Sequence, residues 1–458
     1  MLTEQVSPTR ETPVRSGLRQ PVTCGVDIGS TNIKVVLLDA EGIVVARERR
    51  LTPRDREGLS IDVETLVACL DEMILAACGQ DHVVCAVSAA GIGEDGVLVD
   101  ESMRALTDAL SWFDPRRQGV FNAFSGSLRD NQLFDASTDA SRTMTGWKWS
   151  QDQMPVGATH WLAIADLPTA RWVSQPFMSD TLASRTGAWR SSDRNWARDR
   201  VELTLGAIDL LPPVLPAGDI VGEIRSPKLQ AAGVISSDAI AVVGGHDHPL
   251  GGWGIDQLSP GAVLDSMGTA EVVVRQTDAV PVRRREGVDV APRIRSQGRT
   301  LMRVEELARN VAWASQDPDV ALAIHSLMQG SVAPLPVLDG GFFQSGRRGG
   351  GRPSYALDAP RDPLARASAV LGALARVGGE AIDAISADAS APVSVRTAGG
   401  WARSPGWLHI KETITGYYAA PVVEPEVTAV SAALLAAHAY GWHPDPARVF
   451  SESGSSSA

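Results

Sequence analysis

The stretch that most limits what this chain can fold into is "VTCGVDIGSTNIKVVLLDAEGIVVARERR", residues 22–50. It contains three β-rich runs, 22–27, 33–38 and 43–48, separated only by "GSTN" (29–32) and "DAEG" (39–42). Both breaks are strong turn sequences, so consecutive runs must fold back on one another as an antiparallel meander. A helical stripe follows over 62–77, where Val63, Leu66, Val67, Leu70, Ile74 and Leu75 fall on one face and Asp62 is placed to cap the first turn. Then comes a buried strand over 82–88, "HVVCAVS". A meander, a crossover helix and a further strand predict an α/β domain.

The pattern starts a second time at 261–275, "GAVLDSMGTAEVVVR". "DIGST" (27–31) and "DSMGTAE" (265–271) each put an acid just before a Gly and Ser/Thr turn between two strands. At 458 residues the chain is too long for one core, and two domains are expected. The strand "AIAVVGG" (239–245) ends where two halves of similar length meet. The expected division is an arm over 1–20, a first domain over 21–247, a second over 248–450 and a tail over 451–458. Further helices are expected near 160–174, 197–210, 303–315, 364–386 and 426–441, with a short strand over 393–400.

A formal charge of −12, from 42 Lys+Arg against 54 Asp+Glu, argues against nucleic acid as the main partner. The densest basic run, Arg283–Arg285, reads as a solvated loop. No apolar run approaches the ~18 residues of a membrane span. The first twenty residues lack an apolar h-region, and Cys24, Cys69, Cys78 and Cys85 have no CxxC spacing. Buried free thiols in a reducing cytoplasm are the expectation.

Several short motifs bear on chemistry. A Gly-rich hairpin turn can bring backbone donors close to a phosphate, and Gly29, Ser30, Thr31 and Asn32 fit, with Lys34 nearby. Asp27 at the strand end is suited to holding Mg²⁺ through water. Gly91 to Gly96 matches GxGxxG, but a strand rather than a helix follows, and Glu94 and Asp95 would repel a pyrophosphate. Those acids suit accepting hydrogen bonds from neutral hydroxyls. In "VVGGHDHPLGGWG" (242–254), His246 and His248 invite a metal, yet no third-ligand cluster accompanies them. The competing reading places Asp247 just before a helix started by Pro249, ionised and able to take a proton from a hydroxyl. Gly399-Gly400 opens a late turn against which a flat group such as adenine could lie.

In this order and spacing the motifs resemble the FGGY carbohydrate kinases over about residues 23–442. The resemblance rests on "GVDIGSTNIKVVLLDAEG", "GEDGVLVDE…LSWFDPR", "SDTLASRTGAW", "LPAGDIVGEI", "AVVGGHDHPLGGWG", "SMGTAE" and the segment from "RTAGGWARSPGWLHIKETITG" to the last helix. It implies two actin-like (ribonuclease H-like) ATPase domains with a cleft between them. It implies a cytoplasmic enzyme using ATP and Mg²⁺ on a sugar or polyol, with no nucleic-acid or membrane partner and room for a homodimer. Asp247 matches the catalytic base. Asp27, with Asp247, matches the acids near Mg²⁺. Thr31 matches the first phosphate loop, Gly268 and Thr269 the second, and Gly399 and Gly400 the adenine turn. Glu94 and His248 match sugar contacts, and Trp112, Asp114 and Arg116 match W-x-D-x-R. Departures from the pattern are Ile92 after Gly91, Ala270 after Gly268-Thr269, and "WARSPGW" after the double glycine. They keep open a second reading, a sugar- or nucleotide-binding regulator with little turnover. A metal-dependent hydrolase using His246 and His248 is a third.

Overall fold

The computed structural model describes residues 19–280, 283–346 and 351–451. Apart from Arg19, Gln20 and Ser451, the arm expected over 1–20 and the tail expected over 451–458 lie outside the described residues.

The opening meander is β1 (Gln20–Ile28), β2 (Asn32–Leu38) and β3 (Val44–Leu51), paired antiparallel. Helix α1 (Val63–Cys78) crosses back to β4 (His82–Gly91), which runs parallel to β1. After a long insertion come β5 (Ile220–Glu223) and β6 (Ile235–His246), with β6 parallel to β4. The first sheet is six strands in the order β5-β6-β4-β1-β2-β3. Its central strands are buried on both faces, which explains their near-continuous apolar runs.

Helix α2 (Asp247–Leu258) leads to the second sheet. This begins with β7 (Val263–Met267) and β8 (Ala270–Thr277), followed by β9 (Asp289–Pro292), β10 (Arg299–Glu306), β11 (Val395–Ala398) and β12 (Ala419–Pro421). Its order is β9-β10-β8-β7-β11-β12, again an antiparallel meander with parallel strands added beside the first. The β1–β2 turn and the β7–β8 turn therefore occupy equivalent places in two sheets of related topology. Helix α3 (Pro363–Ser386) packs on β8 and β10, and α4 (Pro405–Thr415) follows the Gly399 turn. Helix α5 (Val427–Tyr440) packs on β1, β2 and β4 of the first sheet and against α2, which itself packs on the second sheet. The two sheets thus meet across α2 and α5, in a shared core that includes Val36, Val242, Trp253, Val274, Val430 and Leu434.

Some expected helices differ. The segment near 160–174 is a strand, His160–Ala163, and then a helix, Leu167–Val173. That near 197–210 is a short helix, Arg198–Thr204, and a single tight turn, Ile208–Leu210. Of 303–315, only Ala308–Ala314 is helical, because Arg303 to Glu306 pair with Ala270 to Val273 on the open edge of β8. The basic run is a solvated loop only at Arg283, which is exposed. Arg284 is buried, with its guanidinium 2.8 Å from the Asp130 carboxylate, and Arg285 pairs with Asp388. The insertion between β4 and β5 forms a lobe around Trp147, Trp161 and Trp189, and Arg284 ties the second half to it. All four cysteines are free thiols. Among the described residues no helix is long and apolar enough to cross a membrane.

Candidate active site

The C-terminal ends of β1, β4 and β6 converge on a cavity of about 440 Å³ between the two sheets. The β1–β2 turn closes one side and the β7–β8 turn the other, and Asp247 lies among the lining residues together with Asp27, Glu94, Trp112 and His248. In an α/β sheet this end of the strands is where a ligand is expected.

Asp247 is the first residue of α2, following His246 at the N-cap position, and its Oδ1 accepts the His248 backbone N–H at 2.7 Å. Pro249 is therefore the third helical residue rather than the first, still inside the turn where its missing N–H costs nothing. The backbone that delivers Asp247 is held rigidly. Gly245 has φ +131°, and a Cβ there would stand 2.1 Å from Thr181 Oγ1 and 2.3 Å from Ser179 Oγ. Those hydroxyls grip the strand end: Thr181 Oγ1 accepts the His246 N–H at 3.0 Å, and Ser179 Oγ donates to the Gly244 carbonyl at 3.0 Å. Ser179 N–H in turn donates to buried Asp166 at 2.7 Å.

The Asp247 side chain is 21% exposed, toward the cavity. Enclosure raises its pKa above the ordinary carboxylate value; His248 opposes the rise and Asp27 adds to it. His246 Nε2 lies 3.2 Å from Asp247 Oδ1, and His248 Nε2 lies 3.7 Å away. His246 is buried, and burial, with Arg185 nearby, pushes its pKa well below the usual histidine value. It is a neutral ring at pH 7. Their three ligand atoms lie within 4.8 Å of one another.

The first turn is built to offer donors. Gly29 N–H closes it by donating to the Asn32 carbonyl at 3.0 Å. The Gly29, Ser30 and Thr31 carbonyls are taken up by Thr52 Oγ1, Arg54 and Thr52 N–H at 2.6, 2.6 and 3.0 Å. The N–H groups and hydroxyls of Ser30 and Thr31 and the Asn32 side chain, all on the cavity wall, remain to meet a ligand. In the second turn Gly268 N–H donates to Ala270 O at 2.9 Å and Thr269 O accepts from Ala308, so Thr269 is the residue with groups to spare. Gly29 and Gly268 contribute turn shape rather than donors.

Other expected residues sit differently. Lys34 is held 2.9 Å from Asp27 and 2.8 Å from Glu426, and these two acids raise its pKa despite burial. It lines the cavity beside Asp27 and at the same time bridges the two halves. Asp95 is fully buried and does not line the cavity, and burial, against the pull of Arg117, pushes its carboxyl up to about 7. Asp114 and Arg116 do not line the cavity either: Arg116 Nε donates to Asp114 Oδ1 at 3.0 Å, and the Arg116 backbone N–H donates to the same oxygen at 2.8 Å, at the start of the helix Arg116–Ser125. Asp114 borders an adjoining chamber that shares Trp112 and Val304 with the cavity. Gly399, at φ +89°, lies against Met267, where a Cβ would be 2.3 Å from its carbonyl oxygen. The space over Gly400 is open.

Reading the sequence residue by residue missed Arg185. Its Nε donates to Glu94 at 3.0 Å and its Nη1 to Asp289 Oδ2 at 2.6 Å, and Asp289 also meets Arg142 at 3.0 Å. Glu94 is thereby oriented at the cavity wall by an arginine that also holds a residue of the second sheet. The available signal was the segment "SDTLASRTGAW", which also contributes Ser179 and Thr181.

Residues 22–254 match the profile of the "FGGY family of carbohydrate kinases, N-terminal domain". The chain is 24% identical to a xylulose kinase of Escherichia coli (strain K12) over 90% of each chain. It is 24% identical to an L-fuculokinase of Salmonella typhi over 57% of this chain and 58% of that one, so it spans little more than half the length of that relative. Among solved structures, a xylulose kinase from Rhodospirillum rubrum superposes with a TM-score of 0.79 at 16% identity, covering 94% of this chain and 92% of that one. A gluconate kinase from Lactobacillus acidophilus gives 0.79 at 17%, covering 94% and 91%. The fold is the actin-like ATPase fold in two domains. The chain belongs to the FGGY family of carbohydrate kinases.

Proposed function

We propose that the protein transfers the γ-phosphoryl group of ATP to a hydroxyl of a sugar, ketose or polyol. The observation that carries this reading is that one cavity is lined at once by both Gly and Ser/Thr turns and by Asp247. Asp247 takes the proton of the acceptor hydroxyl; that oxygen forms a bond to the γ-phosphorus as the bond to the ADP oxygen breaks. A carboxylate with a raised pKa is a stronger base than an ordinary one, and at pH 7 the direction of the shift suits that role. Ser30, Thr31 and Thr269 offer donors to the phosphates. Glu94, oriented by Arg185, accepts from acceptor hydroxyls, with His248 and Trp112 on the same wall.

The donor set fits magnesium: Asp27 and Asp247 are hard oxygen ligands on one cavity, near enough for Asp27 to raise the Asp247 pKa. They would hold the ion through water, and it would supply neutralisation of phosphate charge. Gly400 and the open space above it are the proposed seat of the adenine. The domain division at 247/248 belongs to the same proposal, since the first sheet ends at His246.

The test is ADP release across a panel of ketoses, aldoses and polyols, with the phosphorylated product identified by mass. One acceptor should stimulate release strongly. Folded protein that binds ATP yet phosphorylates nothing on a broad panel would overturn the reading.

A further inference from the structure

Behind the second turn lies a charge cluster that no step above uses. β7 enters the Gly268–Thr269 turn and β8 leaves it. Asp265 sits on β7 and Glu271 on β8, and Lys411 reaches both from α4, its Nζ against Asp265 Oδ2 and Glu271 Oε1. The three residues are 0%, 2% and 2% exposed. Lys411 Nζ is also 3.7 Å from Met267 Sδ, which accepts the Trp407 indole N–H at 3.0 Å. The Met267 carbonyl lies under Gly399. α4, the Gly399 turn and the strand entering the second turn therefore meet on Met267. Helix α3 leaves a notch for the cluster at Gly378, where a Cβ would come within 2.2 Å of Glu271 Oε1.

Such a cluster is a poor way to gain stability. Removing three charges from water is expensive, and well-packed apolar replacements of buried triads are often neutral or stabilising. Burial raises the Glu271 pKa against the pull of Lys411, while burial lowers that of Lys411 and the neighbouring Glu271 and Asp265 more than offset it. What directional contacts supply better than apolar ones is a fixed register, and here the register is that of two strand ends flanking a ligand-binding turn.

We propose that Lys411 is a positioning residue for the nucleotide: by drawing Asp265 and Glu271 together it sets the spacing of the two strand ends, and so the direction in which Thr269 offers its donors to phosphate. The proposal rests on the kinase reading above.

The test is the triple variant D265V/E271L/K411M in the full chain, with E271Q, which keeps the Lys411–Asp265 pair, as a second variant. The triple variant should melt no lower than the wild type, while KM for ATP rises about tenfold or more and KM for the acceptor stays within about twofold. E271Q should raise KM for ATP by a smaller factor and give the answer should the triple variant not fold. An unchanged KM for ATP in a folded triple variant would overturn the proposal, and where the triple variant does not fold an unchanged KM for ATP in E271Q would do so. So would a parallel rise in both KM values, which marks general loosening. A wild type that phosphorylates no acceptor would sink the kinase reading itself, an outcome visible before any variant is made.

Discussion

Asp247, the proposed base, sits at the first position of a helix, where backbone N–H groups favour its charge while the enclosing cavity opposes it. Enclosure wins. Asp247→Asn keeps the shape and the contact to His248 N–H, so the variant should fold and bind nucleotide while turnover drops by about 10²–10⁴-fold. Normal turnover in that variant would remove Asp247 as the base. The base must be deprotonated to act, and its pKa is raised. In the wild type kcat/KM should therefore fall on acidification at a pH above the ordinary carboxylate range, which a pH–rate profile reads directly. His246 and His248 were the conspicuous residues of this stretch in the sequence, and Asp247 was legible between them only through the motif order of the whole chain. Arg185 was not legible, because its partners Glu94 and Asp289 are 91 and 104 residues away. Asp95 shows the reverse error: an acid in a turn beside Glu94 reads as equivalent to it, but Glu94 lines the cavity whereas Asp95 is fully buried, a difference no local pattern announces.

At the level of elements, the end of β6 is the part with least freedom. Gly245→Ala meets both a positive φ and two hydroxyls, and should cost roughly 2–4 kcal/mol, measured by denaturant unfolding, with kcat lowered as well. Asp166 beneath it is fully buried, and burial, with Asp180 adding to the effect against the Ser179 N–H, pushes its pKa from 3.8 to about 8. The folded state then holds a proton that the unfolded state releases. That contribution to stability is complete below about pH 4, declines as pH climbs, and levels off above about pH 8. Asp166→Asn keeps an acceptor for Ser179 and removes the titration, so its stability should be flatter over that range. Meanders and long helices were readable because turn residues and a one-faced apolar stripe are local signals. β10 was not, since "LMRVEELARNVAWA" carries helical spacing and only the open edge of β8 makes its first part a strand.

Across the whole molecule, the chain Glu94–Arg185–Asp289–Arg142 links the cavity wall of the first half to the second sheet. Asp289→Ala should leave two buried guanidinium groups short of a partner and loosen closure around the cleft. Acceptor KM should rise about tenfold, and ATP hydrolysis without acceptor should increase, read as ADP release in its absence. An unchanged ratio of hydrolysis to transfer would separate Asp289 from closure. Two sheets of related order were foreshadowed by the echo of "DIGST" in "DSMGTAE", whereas the pairing of a late helix with an early sheet had no local signature. That helix, α5, has a consequence for how the molecule is made. It is buried along nearly its whole length, and Thr23 Oγ1 donates to the Ala433 carbonyl at 2.9 Å across 410 positions of sequence. On a ribosome β1, β2 and β4 emerge first, with one apolar face bare, and wait for almost the entire remaining chain before their cover exists. The first half should therefore depend on its late cover: released on its own as residues 19–258 it should aggregate until a peptide spanning 419–451 is supplied.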